Sequence, residues 1–216
     1  MAGLFKWSAR KPEELPAGPA PPADLSSADA VTTSKVFPRF LAALAHQPAP
    51  VLLDLGPVVG SNVAFFGERL ACKIHVEDLF AKIEEHAKAG TRAALADAIP
   101  AALTQPDDSV DGILCWDLFD FLDRAAGQAL ARRLSGLVRP GGVLYGFFGT
   151  TPVDLQQYSR YAVEGDHTFR VRTSPATPTK RTVLTTRDII KMFEGLTVTE
   201  SVLLKSSTRE TLFRRV

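Results

Sequence analysis

From Pro50 onward, short apolar runs alternate with amphipathic stretches of helical period, and that alternation leaves few folds open. Strands joined by helices run parallel in one sheet, with helices covering both faces. Val51-Leu52-Leu53-Asp54-Leu55 reads as a buried strand, Gly56 to Gly60 as a turn, and Ser61 and Asn62 as caps of a helix through Val63, Phe66 and Leu70. Lys73 to Glu77 is a second strand, followed by a helix from Leu79 to Ala89 that Gly90 closes. Thr91 to Leu103 reads as helix interrupted by Pro100, so no third strand is found there. Val110 to Trp116 is a central strand, and Asp123 caps a helix through Leu130, Leu134 and Leu137. Arg139-Pro140-Gly141-Gly142 stops that helix before a strand from Val143 to Phe148. After a helix at Arg187–Phe193, the runs Thr197–Leu204 and Arg209–Val216 predict a closing antiparallel hairpin on the parallel sheet.

The flanks read differently. Residues 11–23 carry Pro12, Pro16, Pro19, Pro21 and Pro22 among Ala and Gly, which bury no apolar surface. Residues 1–30 are therefore expected to be a disordered Pro/Ala-rich tail, with Leu4, Phe5 and Trp7 either docking or inert, ahead of a domain over 31–216. Its first helix is expected from Ser34 to His46, with Pro38 in the first turn, where proline is tolerated. The segment 150–184, rich in Pro, Thr, Tyr and Arg, reads as a lid or an inserted hairpin.

Charge and cysteine usage narrow the partners. A net charge of +1 provides no field for recruiting nucleic acid or an acidic membrane, although Arg160 to Val216 holds 11 Lys and Arg against 6 Asp and Glu. No apolar run approaches the length of a membrane span, and no apolar core of a secretory signal precedes Pro12. Cys72 and Cys115 sit in strand-like runs without metal spacing, so no metal site is expected and a reducing, cytoplasmic setting is read.

Chemistry concentrates at the strand end Asp54, the turn Gly56-Pro57-Val58-Val59-Gly60 and the helix start behind it. A ligand placed there meets free backbone N–H groups, and Asp54 can brace the turn or reach a ligand amine. Glu77 and Asp78 follow Asp54 by 23 and 24 residues, where an acid can accept two hydrogen bonds from a ribose diol.

Together with Val110 to Leu122 and Leu137-Val138-Arg139-Pro140-Gly141-Gly142-Val143-Leu144, these motifs make Val51 to Val216 resemble the class I S-adenosylmethionine-dependent methyltransferases. The resemblance implies a three-layer, doubly wound α/β fold whose seven-stranded, mostly parallel sheet ends in an antiparallel hairpin. It also implies S-adenosylmethionine as cofactor. Asp54, Gly56, Pro57, Val58 and Gly60 would line its methionine side, and Glu77 or Asp78 its ribose. Trp116 and Asp117 would face the space between cofactor and acceptor. Two residues depart from the pattern: Pro57 removes one N–H donor, and Val58 stands where the family has glycine. If the isopropyl group points into the cofactor space, it blocks close approach.

Two functions are open, the first the one expected and the second its alternative. One is methyl transfer to a small-molecule or protein acceptor, with Tyr158, Arg160, Tyr161 and His167 of the long segment as candidate acceptor contacts. The other is a catalytically inactive scaffold or interaction domain. A nicotinamide oxidoreductase is disfavoured because the turn reads Gly-x-x-x-Gly. Asp117 and Asp120 are either a proton acceptor or helix caps, and no residue is assigned to catalysis.

Overall fold

The structure, a computed structural model, describes residues 29–216. The expected tail therefore lies outside the described residues, apart from Asp29 and Ala30, and Ala30 already belongs to a strand. Six strands form the main sheet: β2 (Val51–Asp54), β3 (Lys73–Val76), β4 (Val110–Trp116), β5 (Val138–Gly149), β8 (Leu196–Leu203) and β9 (Thr208–Arg215). Their order is β3-β2-β4-β5-β9-β8; the first four run parallel, and β9 is antiparallel to both its neighbours. The terminal hairpin is thus in place.

The expected seventh strand is not. Thr91 to Ala102 folds instead as a 3-10 turn (Arg92–Ala94) and helix α4 (Leu95–Ala102), which leaves β3 as the sheet edge. The cause lies in composition. The stretch is dominated by alanine, a strong helix former, and offers no β-branched alternation.

Helices α1 (Phe37–Ala45) and α2 (Gly60–Leu70) cover one face of the sheet, and α3 (Leu79–Lys88), α4, α5 (Arg124–Leu137) and α6 (Thr186–Met192) the other. Asp123 caps α5 through the N–H of Ala126, as its sequence position predicts. Within β5, Gly142 is required by close approach: a Cβ there would lie 2.9 Å from the Arg139 carbonyl oxygen and 3.0 Å from that of Asp111.

The long segment folds as a hairpin, β6 (Asp154–Val163) and β7 (Thr168–Lys180), and β1 (Ala30–Thr33) completes a second, three-stranded antiparallel sheet. Beside it, Ser34 and Tyr145 both donate to the fully buried Glu210 carboxylate, and Ser34 Oγ accepts the Phe37 N–H at 2.7 Å. That knot pins the start of α1 to β5 and β9.

Hairpin β6–β7 lies across the carboxyl ends of the parallel strands like a strap. At one end the buried Asn62 amide acts as a mimic of a neighbouring strand, donating to the Tyr161 carbonyl and accepting the Val163 N–H, both at 2.8 Å. The helix-capping role expected for Asn62 is therefore replaced, and Val59 at the N-cap of α2 offers no side-chain cap. At the other end the Glu84 carboxylate of α3 accepts the Thr177 N–H and hydroxyl, and Tyr158 stacks on Phe80 at 5.3 Å.

Candidate functional site

In an open parallel sheet, ligands bind where the strand order reverses, outside the carboxyl ends. Here the chain leaves β2 towards β3 on one side and returns to β4 on the other, so the crevice falls between the ends of β2 and β4. Asp54 closes β2 and Trp116 closes β4, side by side as the sequence suggests.

What fills the crevice is the protein itself. Trp116 takes a left-handed backbone conformation, φ +50°, unusual for a bulky residue, and this turns its indole across the β2 turn. A Cβ on Gly56 would stand 2.6 Å from Trp116 Cδ1. The indole therefore rests directly on the glycine, and glycine is required there by a side chain of this chain. Trp116 Nε1 donates to Asp54 Oδ1 at 2.7 Å, and the Gly56 N–H donates to the same oxygen at 3.0 Å. Both roles foreseen for Asp54 are met internally: it braces the turn, and an indole N–H takes the place of a ligand amine. Above the indole, the Tyr161 ring of the strap stacks at 4.9 Å and 6°. Trp116 is 2% exposed and Asp54 3%.

Val58 is not what fills the crevice: the residue is 64% exposed, and it lines a separate, open hollow. Pro57 is buried, whereas Gly60 is exposed at the start of α2. The structure thus separates the expected cofactor residues into two groups: Asp54 and Gly56 against Trp116 with Pro57 buried after them, and Val58 and Gly60 exposed.

The acids that follow β3 are also engaged. Glu77 is half-buried and accepts Gln105 Nε2 at 3.1 Å, while Asp78 caps α3 by accepting the Ala81 N–H at 2.9 Å. Gln105 was given no role by sequence reasoning, and no local pattern marks it. Asp117, next to Trp116, lies under the strap among the Ser159 and Tyr161 hydroxyls.

Three carboxyls crowd this end of the sheet, and burial pushes all of them up. Asp54 rises to about 6, with its hydrogen bonds from Gly56, Trp116 and Asn62 opposing the shift. Asp117 rises to about 7, through burial and then the Asp120 charge. Asp120 rises to about 6, although it accepts the Gly149 N–H at 2.8 Å and pairs with Arg181 at 2.8 Å. Loss of hydration disfavours each charge more than the surrounding donors favour it.

Of the candidate acceptor contacts, Tyr161 and Tyr158 serve as strap contacts on Trp116 and Phe80. Arg160 projects outward, its guanidinium 3.2 Å from the Tyr158 hydroxyl. His167 stands in the turn between β6 and β7, exposed, where its carbonyl accepts the Ser34 N–H at 2.8 Å, away from the crevice. Among the described residues no three His, Cys, Asp or Glu side chains gather so as to hold a metal ion, and no helix is long and apolar enough to cross a membrane.

No protein-family model matches this chain, and no curated protein matches it in sequence. Solved structures similar to it include an S-adenosylmethionine-dependent methyltransferase from Clostridium acetobutylicum ATCC 824, with 11% identity, 83% of this chain and 91% of that one covered, and a TM-score of 0.48. The CcbJ methyltransferase from Streptomyces caelestis is 18% identical over 83% and 94%, with a TM-score of 0.46. A TehB-like S-adenosylmethionine-dependent methyltransferase from Corynebacterium glutamicum ATCC 13032 Kitasato is 14% identical over 83% and 87%, with a TM-score of 0.48. Likeness at this level concerns the path of the chain and assigns it no activity.

Proposed function

We propose that this chain keeps a methyltransferase-like α/β architecture while Trp116 takes the place of the cofactor, so that it serves as a scaffold or interaction protein. The observation carrying this reading is the indole lying on Gly56 with its N–H on Asp54. The residues present do not fit S-adenosylmethionine while that contact holds, because Asp54 and Gly56 have no open side left for a ligand.

Magnitudes support the reading. To admit a ligand, Trp116 must leave a buried site worth roughly 2–3 kcal/mol, a hydrogen bond to an acid worth about 1.5 kcal/mol and an aromatic stack worth about 1 kcal/mol. Relief of the left-handed backbone returns roughly 1 kcal/mol. An opening cost of about 4 kcal/mol lowers apparent affinity about a thousandfold, which takes a micromolar ligand into the millimolar range. Calorimetric titration with S-adenosylmethionine tests this: the account expects no heat of binding at micromolar cofactor, and a micromolar Kd for the native chain overturns it.

A second reading, S-adenosylmethionine-dependent methyl transfer to a small-molecule or protein acceptor, is favoured by one observation. Asp117, at about 7, is a carboxyl able to take up or hold a proton near neutrality at the end of β4. It requires both strap and indole to lift. Transfer of a labelled methyl group to any acceptor, lost in Asp117→Asn, decides for it.

A further inference from the structure

On the far side of β6 from the crevice lies a cavity of about 470 Å³, a size typical of small-molecule sites. Its walls come from the segment Val58 to Ser61 and from the outward face of hairpin β6–β7. Strand register explains why that face is basic. Arg160 is paired with Arg172 across the hairpin and Ala162 with Arg170, so alternation brings all three arginines to one side.

The facing charges are three guanidiniums against two acids. Arg172 is held by Asp29 at 2.8 and 3.0 Å. Arg170 is held by Glu164 at 2.5 Å, with Asp29 at 3.5 Å. Arg160 pairs with no acid among the described residues and lies over the Tyr158 ring, 5.8 Å from its centroid. The acids fix two of the arginines without using all their donors, since a guanidinium carries five N–H groups. Among the described residues one unit of positive charge is left uncompensated, on Arg160. Val58, Val59, Ala162 and Val163 give the wall an aliphatic part, on which Val58 stands exposed.

We propose that this cavity binds a small phosphomonoester, its phosphate on the arginine face and its organic group against Val58 and Val59. Arginine forks match phosphate oxygens two at a time, which a solvated lysine does not. The inference rests on nothing in the crevice, so it stands or falls separately from the reading of Trp116.

Thermal unfolding in phenyl phosphate, in inorganic phosphate, and in sodium chloride of equal ionic strength tests it on the whole chain. The native protein should gain Tm in phenyl phosphate beyond chloride, and more than in inorganic phosphate. Arg160→Gln should weaken the effect about tenfold, the equivalent of one charged hydrogen bond. Val58→Glu, which adds a like charge at an exposed wall position, should abolish it. Equal Tm in phenyl phosphate and chloride overturns the proposal, as does an excess that is undiminished in Arg160→Gln or that survives Val58→Glu. Inorganic phosphate matching phenyl phosphate overturns the ester and leaves a bare anion.

Discussion

Two hollows lie on either side of strand β6, and they differ in what fills them. The crevice at the ends of β2 and β4 is closed by an indole, a tyrosine ring and three carboxyls pushed towards neutrality. The cavity on the other side is open, lined by exposed Val58 and by arginines held on surface acids. Apolar burial and internally satisfied polar groups remove the first from competition for ligands, whereas the second keeps unspent donors. Topology alone singles out the first, and only side-chain occupancy distinguishes them.

The largest expected effect comes from opening the closed side. Trp116→Ala removes a buried aromatic and strips one partner from Asp54, at a cost of about 3–5 kcal/mol in denaturant unfolding. A loss below about 1 kcal/mol would mean that the indole is not packed as described.

Next comes the strap. Asn62→Ala leaves the Tyr161 carbonyl and the Val163 N–H without partners, and should cost about 2–3 kcal/mol. Hydrogen exchange should rise along β6 more than along β9; uniform exchange would break the description of Asn62 as the anchor of the strap.

A smaller effect is carried by pH. Asp54, Asp117 and Asp120 have folded values of about 6 to 7 against an ordinary 3.8. The folded state therefore holds these protons more tightly than the unfolded chain. Their contribution is fully present below about 3.8 and is lost as pH rises through 6 to 7. Unfolding free energy should fall over that window by a few kcal/mol, and Asp117→Asn should flatten its upper part. A rise in stability across the same window contradicts the burial of these groups.

The smallest effect is expected at Val58. Because the side chain is exposed, Val58→Gly should change stability by less than about 1 kcal/mol. It should create no S-adenosylmethionine binding, which a titration reads directly. Binding that appears in this variant would restore valine as the obstruction and exonerate Trp116.

The legible part of the molecule is that in which the deciding interactions are local. Val110–Trp116 and the Asp123 cap of α5 follow from residue patterns over a few positions, and so do the terminal strands within a residue of their expected limits. Illegible were the features set by distant partners. Hairpin β6–β7 carries Pro175 and Pro178 and outward arginines between its inward Tyr161, Val163, Phe169 and Val171, so its alternation is diluted. Val58 is the odd residue in a glycine motif, yet its exposure is a property of the folded turn. Trp116 ends β4, as its strand pattern predicts. Its left-handed backbone, which turns a lining residue into a filling one, leaves no trace in composition or periodicity.

A crystal structure determined in the presence of saturating S-adenosylmethionine tests the central claim most directly. The account predicts the Trp116 indole on Gly56 with its N–H on Asp54, and no cofactor density between them. An adenosyl sulfonium lying over Gly56, with the indole displaced and the strap lifted, would contradict it.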